Sequence, residues 1–227
     1  MTLNYHINFE KGLFGKYKKV ARKLPPKSSI FDIGCHTGTF GKILIQLGHQ
    51  VAGIDKNEEA LEIARKNGLD AILGDIEDYK VLSSIKKQFD IILLMDVLEH
   101  LLSPVEVLKR LHSILKIDGR LIITGPNVGY WAVRKDLLLG RRDCPEAGIL
   151  DRTHLHFYTA SSWKKLIEEG GYKIITFESA EGLIPLEHIL AKLPVLKLLV
   201  KYISNLAICL KPELFASIFI IEAVPKG

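Results

Sequence analysis

Short apolar runs rich in β-branched residues alternate with stretches of helical periodicity along most of this chain. That is the pattern of strand-helix-strand units stacked on a parallel sheet. Ser28 to Gly34 predicts a first strand, Thr39 to Gly48 a helix, Gln50 to Asp55 a strand, and Glu58 to Asn67 a helix stopped by Gly68. Asp70 to Asp75 and Phe89 to Asp96 predict two further strands, Pro104 to Lys116 a helix, and Gly119 to Gly125 another strand. The nearly unbroken apolar character of Phe89 to Asp96 belongs in the middle of a sheet covered on both faces. Ala160 to Glu169 predicts a helix ending at Gly170 and Gly171, followed by strands at Tyr172 to Ser179 and Ala216 to Val224.

Three stretches depart from this rhythm. Residues 10–24 carry a basic, amphipathic helical pattern that stops at Pro25 and Pro26, so 1–27 reads as a lead-in helix. Residues 127–159 form a long connection with a short helix around Trp131 to Leu139, and ordered loops of this length usually serve function. Residues 182–212 are apolar but interrupted by Glu187, Lys192, Lys197 and Lys201 and by Pro185, Pro194 and Pro212, which excludes a transmembrane span. On a helix starting near Pro194, Lys197, Lys201 and Ser204 or Asn205 share one face and leave a wide apolar remainder to be buried. A lid on the protein's own core, a homodimer contact and a peripheral membrane contact would each bury it.

Composition narrows the class. With 227 residues, 25% charged and 48% hydrophobic, the chain reads as one globular domain over 1–227 with an embellishment. The net charge of +5 is spread along the chain, so no nucleic-acid partner is expected. Cys35, Cys144 and Cys209 lie far apart, with no zinc-knuckle or disulfide spacing, which fits a reducing cytoplasm. The first residues lack the apolar run of a secretory signal, so the expected localisation is cytoplasmic.

Ligands of an open doubly wound sheet bind beyond the carboxyl ends of its strands, and acids stand there in series. Asp32 and Gly34 close the first strand, Asp55 the second, Asp75 the third and Asp96 the fourth. Gly34 and Gly38 bracket a tight turn into a helix, where backbone N–H groups can approach a ligand. The dinucleotide pattern GxGxxG is absent, because the loop reads Gly34-Cys35-His36-Thr37-Gly38-Thr39-Phe40-Gly41. Asp55 is placed to accept hydrogen bonds from both hydroxyls of a ribose. Asp75 beside Ile76 suits an adenine amino group and ring face. The series favours S-adenosylmethionine over a nicotinamide dinucleotide.

In order and spacing, DIGCHTGTFG, VAGID, LGDIED, FDIILLMDVLEHL and LKRLHSILKIDGRLIITGPN resemble the class I S-adenosylmethionine-dependent methyltransferases over residues 28–127. The stretch from GPNVGYWAVRKDLLLGR through LDRTHLHFYTASSWKKLIEEGGY is similar to a MetW-like and polysaccharide- or quinone-associated subset. The resemblance implies a Rossmann-like doubly wound α/β sheet, mostly parallel with the last strand antiparallel, helices on both faces and a helical insertion before the last strand. It also implies S-adenosylmethionine as cofactor, with S-adenosylhomocysteine as product. Asp32, Gly34 and Gly38 would hold its methionine end, Asp55 the ribose, Asp75 and Ile76 the adenine, Asp96 would border the sulfonium, and Cys35, His36 and Lys56 would also contact the cofactor. His36 departs from the family, where many members carry glycine.

Methyl transfer to oxygen needs alignment and a proton acceptor, and histidine is the natural base at neutral pH. His100, just past the fourth strand, and His154 and His156 in the late loop are the candidates. Asp96, Glu99 and His100 stand at i, i+3 and i+4, a spacing that a divalent metal could use and that a capped turn explains equally well. No metal site is assigned. Arg134, Lys135, Arg141 and Arg142 suit an anionic acceptor or a solvated face, and Tyr130, Trp131 and Tyr158 a stacking wall or a loop anchor. The expected function is methyl transfer to a small molecule, anionic or lipid-like, at an oxygen. A binding or regulatory partner that keeps the fold without methyl transfer is the alternative.

Overall fold

The structure is a computed structural model that describes residues 13–141, 148–185 and 197–227. Arg142, Cys144, Glu187, Lys192 and the helix start near Pro194 lie outside the described residues. The elements run α1 (Gly15–Lys23), β1 (Ser29–Ile33), α2 (Thr39–Gln46), β2 (Gln50–Asp55), α3 (Glu58–Lys66), β3 (Asp70–Leu73), α4 (Tyr79–Ser84) and β4 (Phe89–Met95). They continue with α5 (Pro104–Leu111), β5 (Leu115–Pro126), α6 (Trp131–Leu138), α7 (Ala160–Glu169), β6 (Tyr172–Gly182), α8 (Lys197–Leu210), α9 (Pro212–Phe215) and β7 (Ala216–Pro225).

The strands form one sheet in the order β3-β2-β1-β4-β5-β7-β6. β1 pairs in parallel with both β2 and β4, so the chain reverses its direction of winding there. β7 inserts antiparallel between β5 and β6. The sheet is therefore Rossmann-like and doubly wound, mostly parallel with its last strand antiparallel.

Strands buried on both faces need two cores. On one face Phe31, Ile33, Ile92, Leu94 and Ile123 pack with Val107, Leu108 and Leu111 of α5 and Trp163 and Ile167 of α7. On the other, Ile30, Val51, Ile91, Leu93 and Ile220 pack with Val20 of α1, Leu44 of α2 and Leu61 and Ala64 of α3. At the carboxyl end of β5 the side-chain amide of Asn127 donates to Ala216 O at 2.7 Å and Glu213 O at 3.1 Å, and its oxygen accepts from Gly129 N at 2.9 Å. That buried amide ties the start of the long loop to the root of β7.

Several boundaries differ from the sequence pattern. The helix predicted to Lys116 ends at Leu111 and passes through a 3₁₀ turn, His112–Ile114, into a strand that begins at Leu115. α4 and α9 were not expected. On α8 Lys201 and Asn205 stay exposed, but Ser204 is buried with Val200, and much of the apolar remainder is not covered: Leu198 is 81% exposed, Tyr202 68% and Leu210 70%.

Candidate functional site

The carboxyl ends of β1, β2 and β4 open into a cavity of about 720 Å³, beside the point where the winding reverses. One end is built by the β1–α2 turn. Gly34, His36 and Gly38 all take left-handed backbone angles, with φ of 73°, 47° and 65°. His36 does so without glycine's freedom, at a cost of roughly 1–2 kcal/mol. Asp55 at the tip of β2 holds this turn, its two carboxylate oxygens accepting from His36 N at 2.8 Å and Asn57 N at 2.9 Å. Each oxygen keeps a lone pair for a further donor. Asp32 is 5% exposed, and burial together with the neighbouring Asp55 pushes its carboxyl up to about 7.

Gly34, Cys35, His36, Thr37, Lys56 and Phe40 line this end. Burial pushes the Cys35 thiol up, which makes it a packing residue and not a nucleophile. Gly38 serves packing too: a Cβ there would come within 3.0 Å of Ala64 Cα on α3. Asp75 and Ile76 stand outside the cavity lining. Asp75 accepts from Glu77 N at 2.9 Å in a turn beyond β3, and Ile76 sits in the core at 6% exposure.

The other end begins at Asp96, which has a left-handed φ of 57°. Its carboxylate accepts from Thr124 Oγ1 at 2.8 Å and pairs with Lys16 Nζ. Lys16 and Tyr17 were missed from the sequence, yet α1 lays both along the cavity wall. Burial lowers the Lys16 pKa, against the raising pull of Glu99 and Glu181. Glu99 is fully buried, and neither carboxylate oxygen has a hydrogen-bond partner among the described residues. Burial pushes its carboxyl up to about 8, with Lys16 opposing.

The expected helical turn of Asp96, Glu99 and His100 is instead a 3₁₀ turn, Leu98–His100, entered from the left-handed Asp96. That removes Asp96 from the group: the side chains whose ligand atoms converge, all within 4.8 Å, are Glu99, His100 and His154. The late loop reaches this turn because Leu155 N and His156 N donate to Glu99 O at 2.9 and 3.1 Å. The rings of His100 and His154 meet edge to face at 4.7 Å, and both line the cavity. Burial lowers both imidazole pKa values, which favours the neutral ring. His156 turns away from the cavity and stacks on Tyr158 at 5.7 Å.

Arg134 Nε donates to Gly129 O at 2.6 Å, and Lys135 lies over the Trp131 ring at 5.8 Å. Trp131 Nε1 donates to Leu183 O at 2.6 Å and Tyr130 OH to the same carbonyl at 3.4 Å, so these aromatics anchor the loop. Lys16 and Lys56 are the cavity's cations among the described residues. Against them stand the four carboxyl groups of Asp32, Asp55, Asp96 and Glu99. A cavity with four carboxyl groups, two of them buried, fits a ligand that carries cationic groups.

A family profile described as "Methyltransferase domain" matches residues 5–176, more than half of the chain. The ubiquinone biosynthesis O-methyltransferase of Actinobacillus pleuropneumoniae serotype 5b is 32% identical over 135 residues, covering 56% of this chain and 53% of that protein. The protein of the same name from Haemophilus ducreyi is 29% identical over 135 residues, covering 56% and 52%. The chain thus matches about half the length of these curated relatives. Among solved structures, a SAM-dependent methyltransferase from Archaeoglobus fulgidus superposes with a TM-score of 0.64 at 20% identity, covering 91% of each chain. An S-adenosylmethionine-dependent methyltransferase from Mesorhizobium loti does so with a TM-score of 0.59 at 16% identity, covering 92% of this chain and 97% of that one.

Proposed function

The chain belongs to the methyltransferase domain family, and from that premise we propose that it moves a methyl group from S-adenosylmethionine to an oxygen of a small-molecule acceptor. The observation that carries this reading is the arrangement of one cavity, with Asp32 and Asp55 at one end, His100 and His154 at the other, and Asp96 between. When bound, S-adenosylmethionine supplies a methyl group on a sulfonium that leaves as a neutral thioether.

The residues divide the remaining work. Asp55 takes ribose hydroxyls on the lone pairs left over from His36 N and Asn57 N. Asp32, nearly buried, offers its charge to the methionine amino group, and the Gly34–Gly38 turn supports the ligand with backbone. Asp96, just past β4, and Lys16, on α1, together bound the reacting centre. His100 or His154 accepts the proton of the acceptor hydroxyl. Asp75 and Ile76 keep their assignment to the adenine only as an outer boundary, since the turn that carries them lies beyond the cavity lining.

The relatives' name specifies an O-methyltransferase, which supports oxygen as the accepting atom. The outward apolar side of α8, flanked by exposed Lys201 and Lys211, supports an apolar or membrane-derived acceptor delivered at an anionic lipid surface. Calorimetry with S-adenosylmethionine, S-adenosylhomocysteine and NAD tests the donor assignment. Binding of both adenosyl compounds, lost in Asp55→Ala, is the expected result. Binding of NAD alone, or an Asp55→Ala protein with undiminished affinity, would overturn it.

A further inference from the structure

The hydrogen bonds around His100 decide which of its nitrogens carries a proton. Its Nδ1 lies 3.2 Å from the Thr153 carbonyl oxygen and 3.2 Å from Thr153 Oγ1. A carbonyl oxygen can only accept. The Thr153 hydroxyl has one hydrogen, and it is given to Asp151 Oδ1 at 2.7 Å, so towards His100 this oxygen can also only accept. Asp151 is itself fully buried and receives Thr153 N at 2.8 Å on the same oxygen, which fixes the threonine in place. Nδ1 therefore bears the proton, and Nε2 is left as the lone pair of a ring that lines the cavity.

We infer that Asp151 and Thr153 are positioning residues that hold His100 in the Nδ1–H tautomer and so make its Nε2 the proton acceptor for the methyl-accepting hydroxyl. This rests on the donor assignment above for its reaction, though not for its geometry. In the step it serves, the acceptor's O–H bond breaks and its proton passes to Nε2. The O–C bond forms as the S–C bond breaks, and that electron pair stays on sulfur. Neutral imidazole and sulfonium become imidazolium and thioether, so charge balances. Asp151, whose negative charge favours the imidazolium, stabilises the product side of that exchange.

The other groups facing the ring are Glu99 on its own turn, His154 from the late loop and Lys56 beyond β2. His154 has a single orienting contact among the described residues, its Nδ1 lying 3.1 Å from Ile149 O, with no hydroxyl relay behind it there. The relay to a buried carboxylate singles out His100.

Long-range proton–nitrogen NMR of the ¹⁵N-histidine-labelled protein reads the tautomer directly, with no need of the acceptor. In the wild type His100 should show a protonated Nδ1 and an unprotonated Nε2. Thr153→Val keeps the carbonyl acceptor but loses the hydroxyl acceptor and its tie to Asp151, so it should raise the share of the Nε2–H form without abolishing Nδ1–H. Thr153→Ser should restore the original distribution, and Asp151→Asn should lower the pH midpoint of the His100 titration. Affinity for S-adenosylhomocysteine should stay unchanged in all three, which also reports that each variant is folded. A wild-type ring protonated on Nε2, or a Thr153→Val spectrum identical to wild type, would overturn the inference while leaving the donor assignment standing. Stoichiometric manganese that bleaches the His100 and His154 resonances would make the ring a metal ligand and overturn its role as proton acceptor. Failure of S-adenosylhomocysteine to bind wild type would instead remove the donor assignment, and the tautomer would still be read.

Discussion

His36 and Asp96 are the cavity-lining residues that adopt left-handed angles without being glycine, and such strain persists where surrounding contacts over-determine it. At His36 that contact is Asp55, so His36→Gly should relieve the backbone, change stability by no more than about 1 kcal/mol and leave adenosyl affinity nearly intact. Asp55→Ala removes both the turn's anchor and a ligand acceptor, and should weaken S-adenosylhomocysteine binding by roughly tenfold or more in calorimetry. Glu99 offers a sign test. Its carboxyl sits at about 8 in the folded protein against an ordinary 4.5, so the folded state keeps a proton that the unfolded state has released. Stability from this group therefore falls as pH rises from about 4.5 to 8. Glu99→Gln, which has no proton to lose, should gain on wild type across that window in urea unfolding, by roughly 3–5 kcal/mol at its alkaline end.

At the level of elements, the strands in the middle of the sheet were legible because burial on both faces writes a continuous apolar run. The start of β5 was not, because Lys116, Ile117 and Asp118 are exposed there and read as the tail of a helix. The strand-end acids 32, 55 and 96 were found from spacing alone, and Asp75 marks where that logic stops: a short edge strand ends before the acid reaches the cavity. Lys16 could not be found this way, since its contact with Asp96 spans 80 residues. Its signal was the basic stripe of α1, where Lys16, Lys19 and Lys23 each reach a different partner: Asp96, Ser179 O, and the pair Glu178 and Glu222. Lys23→Met should therefore cost roughly 1–3 kcal/mol and speed amide exchange along α1, because Glu222 is left buried with one cation fewer. Gly125 is a second pressure point, where any Cβ would strike the indole of Trp163. Gly125→Ala should lower stability by about 1–3 kcal/mol in thermal or urea unfolding.

Over the whole molecule, the resemblance read from the first half of the chain and the match of the methyltransferase profile agree, and the sheet order is that of a doubly wound fold. The second half was less legible because its residues choose partners by tertiary contact: the loop histidines separate, His154 into the cavity and His156 onto Tyr158. No helix among the described residues is long and apolar enough to cross a membrane. Co-sedimentation with anionic vesicles should be measurable for wild type and reduced by Leu198→Glu or Leu210→Glu, whereas undiminished binding in both variants would exclude α8 as the contact.

The fastening of α1 also sets an order of assembly. Lys23 is joined to Glu222, a residue of β7 made 199 positions later. A chain emerging from the ribosome can build β1 to β4 and their helices while α1 still has no β7 to grip. The Lys23 anchor of α1 is thus set only once β7 is in place, and a nascent chain stalled before β7 should hold its ligand more weakly than the full chain does.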